Sequence, residues 1–297
     1  MENRMRIVVH GQQAFGKAVL EKLIERGENV VAVCSAPTKE GRPDDPLVVY
    51  ANELGLPVHQ PASWKTEESL KLMQSFDADV CMMAYVLLFV PEAVRDAPKF
   101  GTFQFHPSLC PLHRGPSSIN WPIAMGKTHT GLTIFWPDDG LDEGPVMLQK
   151  SCEIGPDETL GDVYFKKLFP MGVDAMIEGL DLVKAGIFLK HSQHLEDGTY
   201  EGWFRKENAR IDWSKPATVV YNTIRASNPA PGAVTQINGT EVQVYDCQLI
   251  KGEGTPGELV STTDDGIVMQ AAGGRILIKR LRPKGGQKQT AAEWANE

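Results

Sequence analysis

Short apolar runs alternate with helix-spaced segments over the first 136 residues of this chain. Arg6-Ile7-Val8-Val9-His10 reads as a strand. The turn at residues 11–16 leads into a helix to about residue 26, and residues 29–34 form a second strand. A helix near 46–54, a short strand at 57–59, a helix at 66–75 and a strand at 78–84 continue the alternation. Strands at 101–105 and 131–136 flank a helix at about 117–125, and a further strand runs to residue 152. Leu160, Val163, Tyr164, Leu168, Met171, Ile177, Leu180 and Val183 recur at helical spacing, which predicts one long amphipathic helix over 159–185 packed on the sheet. Alternation of this kind specifies a Rossmann-like α/β domain, a parallel sheet with crossover helices, over residues 1–190.

Residues 191–205 lose this periodicity and read as a polar linker. Beyond them the pattern changes character. One short helix at 217–226 precedes strand-like runs at 233–237, 241–249, 257–262, 266–269 and 275–281, separated by Pro-Gly, Asn-Gly and Asp-Gly turns. Five short strands with tight turns predict a small β-barrel, OB-like, over residues 206–297.

Composition narrows the function classes. At 297 residues, 42% hydrophobic and 23% charged, the chain has an ordinary globular profile. No apolar run reaches the ~18 residues of a membrane span. The opening Met1-Glu2-Asn3-Arg4-Met5 lacks the pattern of a secretory signal. Cys34, Cys81, Cys110, Cys152 and Cys247 are scattered without a Cys-x-x-Cys, so reduced thiols in the cytoplasm are expected, and no metal site. The net charge of −8 is uneven: 19 Lys and Arg stand against 28 Asp and Glu before Lys206, and 11 against 10 from there on. Arg275, Lys279, Arg280, Arg282, Lys284 and Lys288 form a basic strip with no acid between them. It reads either as an edge strand blunted with charge or as a contact for RNA phosphates. Gly11-Gln12-Gln13-Ala14-Phe15-Gly16 occupies the place of a nucleotide-binding loop but carries neither Gly-x-Gly-x-x-Gly nor Gly-Lys-Ser/Thr.

The densest chemistry lies in Phe103-Gln104-Phe105-His106-Pro107-Ser108-Leu109-Cys110-Pro111-Leu112-His113-Arg114-Gly115-Pro116, answered by Asp138-Asp139-Gly140-Leu141-Asp142-Glu143-Gly144. One apolar strand delivers His106 and a second runs into the turn that ends on Asp142, an arrangement that places an imidazole and a carboxylate at the carboxyl edge of an α/β sheet. This pairing resembles the folate-dependent formyltransferase family, whose donor is 10-formyltetrahydrofolate. Within it, the run from His106 through Trp121 looks most like the hydrolase domain of the 10-formyltetrahydrofolate dehydrogenases. The tail from Leu281-Arg282-Pro283 to Trp294 resembles the C-terminal domain of methionyl-tRNA formyltransferase and its relatives.

The resemblance implies the formyltransferase fold, with folate binding and catalysis in residues 1–190, and assigns roles by position. His106 would serve the developing oxyanion and the leaving nitrogen, and Asp142 would orient His106 and accept a proton. Val86, Leu87, Leu88, Phe89 and Val90 match the pterin-binding loop. Asp138, Asp139, Gly140 and Leu141 supply further polar edges. Ser108, Leu109, Cys110 and Pro111 match the tetrahydrofolate-binding loop, and Arg114 with Gly115 completes the motif, the Arg facing the glutamate tail. Gln104 is a departure: the amine formyltransferases carry Asn there and the dehydrogenases an apolar residue. It reads as a retuned oxyanion donor, a water-holding residue or a substrate contact. Three functions follow as alternatives. The first is hydrolysis of 10-formyltetrahydrofolate to tetrahydrofolate and formate. The second is formyl transfer to an amine acceptor, either methionyl-tRNA or a small amine or amino sugar. The third is non-catalytic folate binding.

Overall fold

The computed structural model describes residues 4–296. Its first strands are β1 (Arg6–Gly11), β2 (Asn29–Cys34), β3 (Val58–His59), β4 (Val80–Ala84), β5 (Thr102–His106), β6 (His129–Phe135) and β7 (Val146–Glu153). Between them lie helices α1 (Gln13–Glu25), α2 (Pro46–Glu53), α3 (Glu67–Ser75), α4 (Glu92–Arg95) and α5 (Asn120–Ala124). Helices α6 (Leu160–Val163) and α7 (Phe169–Lys184) follow. The remainder holds α8 (Ala217–Ala226), β8 (Ala233–Ile237), β9 (Thr240–Ile250), β10 (Leu259–Thr263), β11 (Gly266–Ala271), β12 (Gly274–Pro283), β13 (Gln289–Thr290) and α9 (Ala291–Ala295).

Seven strands form one sheet in the order β3-β2-β1-β4-β5-β6-β7. Strands β1 to β5 are mutually parallel where they pair, but β6 runs antiparallel to β5, with Gln104 opposite Phe135 and His106 opposite Thr133. The expectation of an all-parallel sheet is therefore corrected to a mixed one. A run buried on both faces, as Thr130 to Phe135 is, signals burial and carries no mark of strand direction. Because β6 leads away from His106, residues 137–145 must fold back to bring Asp142 near it.

Side-chain alternation sorts the sheet into two faces. Ile7, Val9, Met82, Phe103 and Phe105 join the core under α1 and α7, while Val8, Cys81 and Met83 pack with Trp64, Met73 and Val94 on the other face. Gln104 and His106, alternating with the two phenylalanines, project on this second face. Asp45 accepts from the Gln13 amide at 2.8 Å and from Leu47 N at 2.9 Å. A carboxylate thus already occupies the start of α1, where a phosphate loop would hold its anion.

The long helix expected over 159–185 is broken. A π-helical turn (Tyr164–Leu168) separates α6 from α7. Pro170, in the first turn of α7, has no amide to donate, and the hydrogen-bond ladder shifts just before it.

The C-terminal strands pair antiparallel in the order β10-β11-β12-β9-β8, with β13 beside β12. No ladder joins β8 to β10 among the described residues, so an antiparallel sheet stands where a closed OB-like barrel was expected. Val220 and Ile224 of α8 cover it against Val242, Val244, Ile276 and Ile278. β12 lies between β11 and β9, which removes the edge-strand explanation of the basic strip. Part of that strip is engaged internally: Arg275 donates to Gln270 and to the Glu253 carbonyl, Arg282 donates to Gln243, and Lys284 pairs with Glu241.

By contact the chain divides into two compact units. One comprises residues 1–114, 131–151 and 168–199; the other comprises 115–130, 152–167 and 200–297. Segment 115–130 groups with the C-terminal part because Asn120 donates to the Ala226 carbonyl and Trp121 to that of Gly202, both at 2.8 Å.

Candidate functional site

On the second face of the sheet, Met83, Gln104 and Phe135 stand in one row across β4, β5 and β6. They floor a cavity of about 250 Å3 walled by Val86 to Val90 on one side and Asp138 to Asp142 on the other. Its rim is apolar and open. Leu87 is 57% exposed, Phe89 51% and Leu141 52%, while Val90 is buried beneath them. Exposed apolar side chains converging on a concave wall mark a ligand surface. Gln104 is half-buried in the floor, and among the described residues its amide makes no hydrogen bond of its own.

The two walls are tied together by Arg95, which the sequence did not single out. Its guanidinium is buried and donates to the Val90 carbonyl at 2.7 Å and to Asp139 at 2.9 Å, while its Nε has no partner among the described residues. The short helix α4 carries it there, held by Thr102 Oγ1 donating to the Arg95 carbonyl at 2.6 Å. Nothing in periodicity flags a four-residue helix, so this residue had no sequence signal.

His106 and Asp142 are brought together as expected. His106 Nδ1 lies 3.5 Å from Asp142 Oδ2, and both side chains are more than nine-tenths buried. His106 Nε2 faces the His113 carbonyl oxygen at 3.3 Å. Each ring nitrogen therefore has an oxygen acceptor opposite it. Both spacings are longer than tight hydrogen bonds. The Asp142 loop is built to fold back. Asp142 itself takes the left-handed conformation at φ +55°, which Asp tolerates better than most residues. Asp138 accepts from the Gly140 amide at 3.0 Å. At Gly144 a Cβ would lie 1.9 Å from the Trp136 carbonyl oxygen, so only glycine fits. Arg114 pairs with Glu143 beside Asp142.

Other expected site residues stand elsewhere. Ser108 is fully buried and donates to the Leu112 carbonyl at 2.7 Å. Leu109 is half-buried, and a Cβ on Gly131 would touch its side chain. The Cys110 amide donates to Thr133 Oγ1 at 3.0 Å, and Cys110 and Pro111 line a separate cavity of about 530 Å3 with Val146 to Gln149 and residues 191–194. None of Ser108 to Pro111 lines the cavity at Gln104. Burial pushes the Cys110 thiol up to about 11, which keeps it protonated and inert at neutral pH. Arg114 is engaged by Glu143 and does not line the cavity either. Gly115 falls in the second unit at φ +102°, where a Cβ would lie 2.5 Å from the Glu201 carbonyl oxygen, so its role is in the backbone. Among the described residues no group of His, Cys, Asp and Glu could hold a metal ion, and no helix is long and apolar enough to cross a membrane.

The chain is similar to known proteins over nearly its whole length. Mitochondrial 10-formyltetrahydrofolate dehydrogenase of Mus musculus is 35% identical over 308 residues, covering 99% of this chain. The chain spans 33% of that protein's length. A methionyl-tRNA formyltransferase of Trichlorobacter lovleyi is 33% identical over 294 residues, covering 97% of this chain and 93% of its own. Among solved structures, HypX from Aquifex aeolicus in complex with tetrahydrofolic acid shares the fold, with a TM-score of 0.71 at 20% identity, over 99% of this chain and 47% of that one. Residues 4–178 match formyl transferase, and residues 204–297 match the formyl transferase C-terminal domain. The chain belongs to the formyl transferase family.

Proposed function

We propose that this chain removes the formyl group of 10-formyltetrahydrofolate by hydrolysis, releasing tetrahydrofolate and formate. The observation that carries the reading is the meeting, within one unit, of an apolar-rimmed cavity with Gln104, Asp142 and the His106 that Asp142 faces. The likeness of 99% of this chain to one third of a 10-formyltetrahydrofolate dehydrogenase supports water as the acceptor.

The pterin packs between the wall of Val86 to Val90 and the wall of Asp138 to Leu141, with Arg95 holding both walls at fixed spacing. That places the formyl carbon over the floor. Water adds to this carbon as its proton passes to Asp142, and the negative charge moves to the formyl oxygen. The Gln104 amide, which makes no hydrogen bond among the described residues, donates to that oxygen, while His106, which does not line the cavity, holds Asp142 in place. A hydrogen-bond donor fixed where charge develops is worth ~10²-fold or more in rate. The C–N10 bond then breaks as the proton returns from the His106–Asp142 pair to N10. One water is consumed; the remaining water proton is lost from the formic acid formed, so one tetrahydrofolate, one formate and one proton leave.

A second reading, formyl transfer to an amine, is favoured by one observation. The methionyl-tRNA formyltransferase of Trichlorobacter lovleyi matches this chain over nearly its whole length, including the C-terminal domain. Incubation with 10-formyltetrahydrofolate, first alone and then with methionyl-tRNA or an amino sugar, separates the two. Hydrolysis requires formate release without an acceptor; an amine formylated far faster than formate appears would replace water as the acceptor.

A further inference from the structure

Residues 191–199 read as linker in the sequence, yet the structure bonds them to both sides of the His106–Asp142 pair. His191 makes two backbone hydrogen bonds with Val146, at 2.8 and 2.9 Å, which fastens the segment to the start of β7. Two residues on, Gln193 Nε2 donates to the Asp142 carbonyl at 3.0 Å and to the Gly144 carbonyl at 2.7 Å. Both amide hydrogens are thereby used on the loop that carries the carboxylate, and the two acceptors fix which way the amide points. At the other end, Thr199 Oγ1 accepts from His113 N at 2.9 Å, and the Thr199 carbonyl accepts from Arg114 N at 3.1 Å. Thr199 N in turn donates to the Pro111 carbonyl at 3.1 Å. The turn held this way is the one whose His113 carbonyl faces His106 Nε2.

We propose that residues 191–199 are a positioning strap, in which Gln193 sets the Asp142 loop and Thr199 sets the His113 turn so that His106 sits between them. The proposal rests on the reading of His106 and Asp142 as the catalytic pair. Neither Gln193 nor Thr199 lines the cavity at Gln104, so both act through other residues. The loop alone does not determine where Asp142 lies. It leaves a strand that runs away from His106, and its one left-handed residue is Asp142 itself. Arg95 holds this loop at Asp139 and Arg114 holds it at Glu143, while the Gln193 amide pins the carbonyls on either side of Glu143, that of Asp142 included. Displacement of a catalytic group by about 1 Å can cost ~10²-fold in rate, which makes the strap a determinant of turnover and not of folate affinity.

The test is kinetic, on the full chain with 10-formyltetrahydrofolate and water. Gln193→Leu keeps the side chain's bulk and removes both donors. It is expected to lower kcat at least ~10-fold with KM for the folate held within about threefold. In an Asp142→Asn background the same change is expected to alter the residual kcat less than about twofold, since it acts through a carboxylate no longer there. A purely structural role would give the same loss in both backgrounds and would overturn the proposal, as would an unchanged kcat in the single variant. Thr199→Val, expected to lower kcat, and Thr199→Ser, expected to restore it, decide the matter independently if Gln193→Leu does not fold. Should Asp142→Asn itself retain parental kcat, the catalytic reading fails and the strap with it. If Asp142→Asn is inactive while Gln193→Leu and Thr199→Val match the parent, only the strap fails.

Discussion

Removing the Phe89 ring should weaken folate binding without unfolding the protein. Phe89 is 51% exposed on the rim of the cavity, with Lys65 Nζ 5.0 Å from its ring centre. A phenylalanine offers roughly 200 Å2 of surface, so about half remains to be covered by a ligand. Covering half of that remainder at ~25 cal/mol per Å2 stabilises the complex by about 1.3 kcal/mol, close to a tenfold change in Kd. The same exposure makes the ring a small contributor to the folded state, and the lost cation–π contact at an exposed site is worth ~0.5–1 kcal/mol. Phe89→Ala is therefore expected to raise the Kd for tetrahydrofolate about tenfold by calorimetric titration. The thermal midpoint should fall only slightly, and kcat at saturating folate should stay near the parental value. A correctly folded Phe89→Ala protein with parental Kd would show that the pterin binds elsewhere.

Three further outcomes follow from the site and its surroundings. On the hydrolytic reading, Gln104→Ile removes the donor to the formyl oxygen and should lower formate release on the order of 10²-fold, while Gln104→Asn, which keeps an amide, should lose less; parental release from Gln104→Ile would take the amide out of the reaction. His10 is buried against Trp64, and burial lowers its pKa from 6.5 to about 3. The neutral ring is favoured in the fold, so its contribution is complete above pH 6.5 and is lost at about 1.4 kcal/mol per unit as pH falls from 6.5 towards 3. Urea unfolding at pH 7.5 and 5 should show that His10→Phe loses roughly 2 kcal/mol less than the parent, and equal losses would refute the assignment. Cys110, held near 11 by burial, should resist iodoacetamide at pH 8, where about one thiol in a thousand is ionised; rapid alkylation of this residue would contradict its buried placement.

Local chemistry was the legible part of this chain. His106 follows an apolar strand and Asp142 closes a Gly-rich acidic turn, and the resemblance of both segments to one family anticipated that they meet. The apolar loop at residues 86–90 was legible for the same reason. What escaped depends on long-range placement. The direction of β6 left no trace in a doubly buried run. Pro170 broke a helical pattern that periodicity alone would continue. Arg95 acts from a helix too short to have a period, and Gln193 and Thr199 sit in a polar stretch that resembles any linker. Their importance comes from partners about 50 and 90 residues away, which spacing along the chain does not encode.

Hydrolysis by the His106–Asp142 pair is tested most directly by the products that the parent, His106→Ala and Asp142→Ala form when 10-formyltetrahydrofolate and water are the only reactants. Formate and tetrahydrofolate should be followed in one reaction, with tetrahydrofolate affinity measured on the same samples. Equimolar formate and tetrahydrofolate are expected from the parent, and turnover lowered at least ~10²-fold in each variant with affinity largely intact, because the pair acts mainly on charge and proton transfer in the transition state. Near-parental turnover in either variant, or a parent that releases no formate without an amine, would contradict hydrolysis by this pair.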